Sequence, residues 1–384
     1  MSNKRTKKQH YIPKTALKIF FGNENIYEKN IKTKRIYKTS VSNTMCMANI
    51  YEIDELDDNL IENLFASSVD NDIPKHLKNI IYYLENENYL DAKTILFNYI
   101  KMFVINYYRS LANIKHYSML DSKITNESKK RMFDRVFNIA YIQNICTILV
   151  NCYNFAFIKS NDGGFFLSDQ YISTCALMYK FNMLNLSNRE IGLRETMILI
   201  PINRYYYAVF YTGKLPDCIK IKQDTVNLLD DNEQKVINKV IYCNSMEKCL
   251  STSENYLYNS NQFTKSNGDS PVFVTFKNGM KRAFNIKKEV FLDESEYEIY
   301  EYFKSLKWNS DEFKNTGRND QCPCGSKIKY KKCCLSKNER CKNLLLLQKN
   351  NHQKYLLNPS LGCENEIVFN EYDGLSFDDV INRK

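Results

Sequence analysis

From Asp91 onward apolar residues recur at helical spacing, at Ile95, Leu96, Tyr99, Ile100 and Phe103, and the pattern repeats at Met132, Phe133, Val136, Phe137 and Ala140. Residues three and four apart share one helix face, so each run predicts a long core helix. After Gly163-Gly164 the texture changes to Phe165, Phe166 and Leu167. Two further apolar runs follow, Met197 to Ile200 and Tyr205 to Tyr211, separated by Pro201, Asn203 and Arg204. They predict a sheet with a hairpin. Val272 to Phe276 and Arg282 to Ile286 flank Asn278-Gly279. Both turn residues accept positive φ, so a second strand pair is predicted there. Helices are also expected from near Asp230 to Tyr242 and from Glu294 to Leu306.

This order gives an α+β fold: a helical N-terminal half, a mixed antiparallel sheet region, and a small C-terminal module. The expected division is a domain over 1–307, a linker over 308–316 marked by Asn309, Ser310 and Asn315, a module over 317–337, and a helical then acidic tail over 338–384. A chain of 384 residues holds one large domain with such a module, and 28 Tyr and 22 Phe supply a packed core.

Charge adds an uneven distribution to this picture. The net charge is +10, yet residues 1–40 carry eleven Lys or Arg against Glu24 and Glu28, and residues 317–337 carry six against Asp320. Two basic ends suit an acidic partner or a nucleic-acid backbone, although charge alone supplies only non-specific attraction. The tail from Glu364 to Asp379 mixes acidic with apolar residues, as a docking peptide does. Gln9 to Phe21 interrupts its apolar positions with His, Pro and Lys, so no secretory segment is expected. The stretches Phe97 to Tyr108 and Val136 to Val150 are broken by Asn106, Asn138, Gln143 and Asn144, so no membrane span is expected either. Thirteen cysteines without a disulfide framework fit a reducing cytoplasm.

The strongest chemistry lies in Cys322, Cys324, Cys333 and Cys334. Two close cysteine pairs joined by a short loop are the ligand set of a structural zinc site, with iron as the alternative metal. Pro323 restricts the first pair, and Gly325 and Ser326 let the chain turn after it. Four thiolates around a divalent ion leave a double negative charge, which Lys327, Lys329, Lys331, Lys332 and Lys337 frame. A segment this short buries no core, so ligation supplies most of its folding energy. Cys341 and Cys363 fall outside the spacing and read as spare thiols. Gly317 to Cys334, with its Gly-Arg-Asn-Asp entry, all four ligands, Gly325, Ser326 and Tyr330 to Lys332, closely resembles the SEC-C motif of the bacterial preprotein-translocation ATPase. It departs at Gln321, where proline is usual, and at Lys327, where glycine is usual. The resemblance implies a zinc-dependent module that docks a protein partner.

No phosphate-cradling Gly-x-x-x-x-Gly-Lys-Ser/Thr, dinucleotide Gly-x-Gly-x-x-Gly, His-Glu-x-x-His or Gly-x-Ser-x-Gly motif occurs, so those enzyme classes lose their support. The four histidines, His10, His76, His116 and His352, are too scattered for an imidazole-rich metal site. What remains is a set of landmarks. Gln9-His10-Tyr11-Ile12-Pro13 opens the chain, Glu62 falls at a helix start, Arg109 ends a core helix, and Ser168-Asp169 ends a strand. In this order, from Lys8 to Ser253 and with Pro201 in the hairpin, they resemble the family named domain of unknown function 4238. Gln170-Tyr171 departs from that family's usual Asn-Pro.

The family implies no activity. His10, Glu62, Arg109 and Asp169 are the candidate catalytic residues of a nuclease-like site, as base, metal-binding acid and phosphate clamp. Each also has a structural reading, as a turn residue, a helix-end cap or a strand-end cap. Two functions follow: a zinc-binding interaction protein whose metal module docks a partner, and alternatively a nucleic-acid-processing enzyme whose module recruits substrate.

Overall fold

The two long helices expected from periodicity are each two helices in succession. In the computed structural model α4 (Tyr89–Asn98) ends at Tyr99 and α5 (Ile100–Tyr108) starts directly after it. Tyr99 leaves helical geometry at φ −114° and ψ 14°, with its ring stacked 3.4 Å from that of His76. Likewise α7 (Asn126–Phe137) gives way at Asn138 to α8 (Ile139–Cys152). There the Asn138 side chain accepts the Tyr141 N–H at 2.9 Å and starts the new helix. The apolar phase runs on across both joints, so the pattern does not reveal them.

The structure describes residues 8–118, 123–180, 187–263, 270–275, 281–350 and 357, with 270–275, 281–286 and 347–350 as backbone alone. The start of the basic arm, the Asn278-Gly279 turn, Cys363 and the acidic tail lie outside these residues.

Strands also enter earlier than expected. Ahead of the helices come β1 (Lys8–His10), β2 (Ile26–Asn30), β3 (Ile36–Thr39) and β4 (Cys46–Ala48), with α1 (Lys14–Phe21) between the first two. β1 pairs with β4. β2 and β3 join β6 (Leu167–Ser168) and β11 (Lys248–Ser251) in a sheet of order β3-β2-β11-β6. The N-terminal strands are thus completed by residues more than two hundred positions later.

The hairpin expected around Pro201 is β8 (Thr196–Pro201) with β9 (Tyr206–Tyr211), antiparallel in the register Leu199 to Val209. Every residue of both strands is buried, which explains their continuous apolar character. They lie inside a sheet of order β10-β5-β9-β8-β7, with β5 (Asn154–Lys159), β7 (Ser173–Ala176) and β10 (Val226–Leu228). Phe97 of α4 packs on Phe155 and Phe210 of this sheet. The helix expected near Asp230 is α9 (Asp231–Asn244), capped by Asp230 and Glu233 in a reciprocal box. Residues 270–275 and 281–286 form the second antiparallel pair. The architecture is α+β.

Among the described residues two hydrophobic cores result. The larger one joins the helices to the five-stranded sheet. The smaller gathers Ala176, Tyr179 and Phe291 with Tyr302 and Phe303 of α11 (Glu294–Lys304), and with Cys322, Tyr330, Cys334, Cys341 and Leu344. Residues 308–316, read as a linker, begin in a 3-10 turn and continue into α12 (Asp311–Lys314), whose Phe313 is buried in this same core. Cys341 is a fully buried member of it, and burial pushes its thiol up to about 11. Among the described residues no helix is long and apolar enough to cross a membrane.

Candidate functional site

Local turns bring the four cysteines together. Gly325 sits at φ +83° and donates its N–H to the Cys322 carbonyl at 3.2 Å. The Cys322 N–H then donates to the Ile328 carbonyl at 2.9 Å, and the turn Tyr330–Lys332 delivers the Cys333 N–H to the Tyr330 carbonyl at 3.0 Å. All four Sγ atoms lie within 4.8 Å of one another, with Cys324 to Cys333 at 3.5 Å and Cys333 to Cys334 at 3.7 Å. Disulfide sulfurs would be about 2 Å apart. Sulfurs bonded tetrahedrally at about 2.3 Å to one ion would be about 3.8 Å apart. The donor set and its spacing therefore fit a metal ion. The Ser326 hydroxyl holds the Cys324 thiol down to about 6, whereas burial pushes Cys322 and Cys334 up.

Lys327 departs from the usual motif at a position that demands left-handed backbone, φ +61°. Glycine adopts that conformation at no steric cost, whereas other residues lose about 1 kcal/mol. Lys327→Gly should therefore release metal to a chelator about fivefold more slowly than Lys327→Ala, which removes the same charge but keeps the strain. Stopped-flow chelation of the two variants measures the difference.

The cysteine loop is seated on the body of the protein by α13 (Leu335–Asn350), which starts directly after Cys334. Asn338 accepts from the Tyr302 hydroxyl at 2.9 Å and donates to the Tyr330 hydroxyl. Arg340 and the Tyr179 N–H both reach the Glu296 carboxylate, at 3.1 and 2.6 Å. Lys337, expected in the basic frame, pairs with Glu298 at 2.7 Å. Lys327, Lys329, Lys331 and Lys332 are exposed, with Ile328 among them. Asn338 and Tyr302 escaped the sequence reading, because their role lies in a helix-to-helix contact without a local signature.

The four catalytic candidates do not share one role. Asp169 is fully buried and accepts three backbone N–H bonds, from Met246 at 2.8 Å, Glu247 at 2.7 Å and Lys248 at 2.9 Å. Burial pushes its carboxyl up to about 6, with the N–H bonds opposing, so it is ionised at neutral pH. It clamps the turn that leads into β11. His10 is half-buried with Nε2 3.1 Å from the Val41 carbonyl, and burial lowers its pKa. Asp169 sits where its reading as a strand-end cap puts it, whereas His10, read as a turn residue, is the last residue of β1 and pairs with Cys46.

Arg109 and Glu62 are coupled electrostatically. Arg109, the C-cap of α5, is fully buried, and its Nη2 donates to Asp70 Oδ1 at 2.6 Å. Asp70 ends a π-helical turn, Ala66–Asp70, that continues α2 (Leu60–Phe65), the helix carrying Glu62. Burial pushes the Glu62 carboxyl up to about 7, Asp70 and Glu52 adding to the shift and Arg109 opposing it. Tyr51 donates its hydroxyl to the Arg109 carbonyl at 3.2 Å, and the Phe65 ring lies 4.7 Å from the guanidinium carbon. Asp70 carried no sequence signal. Among the described residues, the four cysteines are the group of three or more His, Cys, Asp or Glu side chains placed to share a metal ion.

Comparison with known proteins bears on both regions. A family model described as protein of unknown function (DUF4238) matches residues 8–255, and a SEC-C motif matches residues 318–336. The protein translocase subunit SecA of Trichlorobacter lovleyi is 46% identical over 61 residues, and that match covers 13% of this chain and 7% of SecA. The likeness falls in the SEC-C region. The chain thus matches only a small fraction of that relative's length. No solved structure matches the chain.

Proposed function

The chain belongs to the family of proteins of unknown function DUF4238, and from that premise we propose that it is a zinc-binding interaction protein, whose N-terminal region recognises one partner and whose SEC-C module docks a second. The carrying observation is the closed set of four sulfurs, with separations suited to a tetrahedral ion. Cys322, Cys324, Cys333 and Cys334 would hold the metal. Four protein ligands leave no position for substrate or activated water, so the ion supplies folding energy and shape.

The exposed face of the module indicates the partner's chemistry. Lys327, Lys329, Lys331 and Lys332 are exposed, and Ile328, between the first two in sequence, is 48% exposed. Exposed lysines close in sequence to an exposed apolar side chain suit an acidic protein segment with an apolar anchor. The nuclease-like alternative would draw on Arg109 and Glu62.

Elemental analysis of the purified protein should find one zinc per chain; iron in its place would reassign the metal. A fourfold charge reversal, Lys327, Lys329, Lys331 and Lys332 each to Glu, should keep the metal. It should also remove proteins that co-purify with the wild type from its native host. Unchanged co-purification would overturn docking through this face.

A further inference from the structure

Among the described residues no carboxylate pairs with Lys327, Lys329, Lys331 or Lys332, whereas Lys337 of the same module is held by Glu298. Arg318 joins these four, because its carbonyl accepts the Lys331 N–H at 3.0 Å. Together they outweigh Asp320 and the double negative charge of a metal-loaded cluster. The basic run Lys29 to Lys38 differs. There Lys29 donates to Leu257, Ser260 and Asn261, and Lys34 donates to Tyr242, so two of its cations are spent within the fold.

The chain itself carries a segment of the opposite character. Glu364 to Asp379 holds six carboxylates and no Lys or Arg, interleaved with apolar residues such as Ile367, Phe369 and Phe377. It lies beyond the described residues, and Leu357 fixes the point from which it sets out. Leu357 is buried in the larger core and donates its N–H to the Gly192 carbonyl at 2.9 Å. The 16 residues of α13 and the seven after it bound the distance from Cys334 to Leu357 at about 50 Å. The fifteen residues from Leu357 to Tyr372 extend to about 54 Å. The centre of the acidic segment therefore reaches the cysteine loop.

We propose that residues 364–379 bind in cis to the lysine-rich loop 327–332 of the SEC-C module, so that an outside partner must displace them. Their carboxylates meet the four lysines, and an apolar side chain meets the exposed Ile328. This rests on the reading of the module as a docking element. Tethering sets an effective concentration of about 1 mM. A free peptide of these residues with a Kd of about 100 µM for the empty loop would then bind the intact chain about tenfold more weakly.

Fluorescence anisotropy with a labelled synthetic peptide of residues 364–379 tests this on three metal-loaded full chains. The first is the wild type. The second is a neutralised variant carrying Glu364→Gln, Glu366→Gln, Glu371→Gln, Asp373→Asn, Asp378→Asn and Asp379→Asn. The third adds Lys327→Glu, Lys329→Glu, Lys331→Glu and Lys332→Glu to the second. Metal content equal to that of the wild type shows that the module stays folded in each. The peptide should bind the neutralised variant at least tenfold more tightly than the wild type, and the added charge reversal should abolish binding. Equal binding to the wild type and the neutralised variant overturns docking in cis and leaves the loop to an outside partner. Binding that survives charge reversal puts the segment elsewhere and overturns it as well. Binding to neither chain also overturns it; loss of co-purified proteins on charge reversal in the wild type would still uphold the docking module, and unchanged co-purification would remove that reading too.

Discussion

Removing the metal, by chelation or by Cys333→Ser with Cys334→Ser, is expected to unfold the cysteine loop and loosen α11 and α13, while the larger core stays folded. Cys322 and Cys334 are buried beside Tyr302, Phe313 and Tyr330 in the small core. Without an ion, four sulfurs within 4.8 Å have no compensation for ionising together. Zinc supplies about 10–16 kcal/mol to small structural sites, more than so few side chains recover by packing. The effect should reach α11 through the contacts of Asn338 with Tyr302 and Tyr330 and through the Arg340 to Glu296 pair. It should stop there, because the larger core contains none of the four ligands. Hydrogen exchange checks the boundary. Amides of residues 297–306 and 328–341 should lose protection on chelation, and those of β8 and β9 should keep it. Loss of protection in β8 and β9 would mean that the module is integral to the main fold.

Asp169→Ala should destabilise the protein by about 3–5 kcal/mol, among the largest effects of any single substitution. One carboxylate satisfies the N–H groups of Met246, Glu247 and Lys248, and the Asp169 N–H returns a bond to the Lys248 carbonyl at 3.2 Å. Removing it leaves three N–H donors facing a cavity at the entry to β11. That strand pairs with both β2 and β6, so the N-terminal strands lose their central support. Asp169→Asn should fall between, since one carboxamide oxygen still accepts while its NH2 opposes the remaining donors. Urea denaturation should show a lower midpoint with an unchanged slope. A wild-type midpoint for Asp169→Ala would return Asp169 to the list of catalytic candidates.

The metal ligands were legible because their chemistry is local: four cysteines fall in thirteen positions, and Gly325 marks the turn that closes them. The strands at Met197 and Tyr205 were legible because burial on both faces writes a continuous apolar run. The breaks at Tyr99 and Asn138 were not, since the apolar phase continues through each joint. Asp169 carried a visible landmark, but its role depends on N–H groups 77 to 79 residues away.

The sequence by itself determined an α+β chain with a thiolate cluster at its C-terminal side, because periodicity and ligand spacing act over a few residues. Tertiary structure alone decided that the cluster shares a core with Tyr179 and Phe291, and that Arg109 is paired with Asp70 across 39 residues. It also left the Nε and Nη1 atoms of that guanidinium without hydrogen-bond partners. Long-range pairing of buried charge depends on where distant elements pack, and no short window of sequence contains that information.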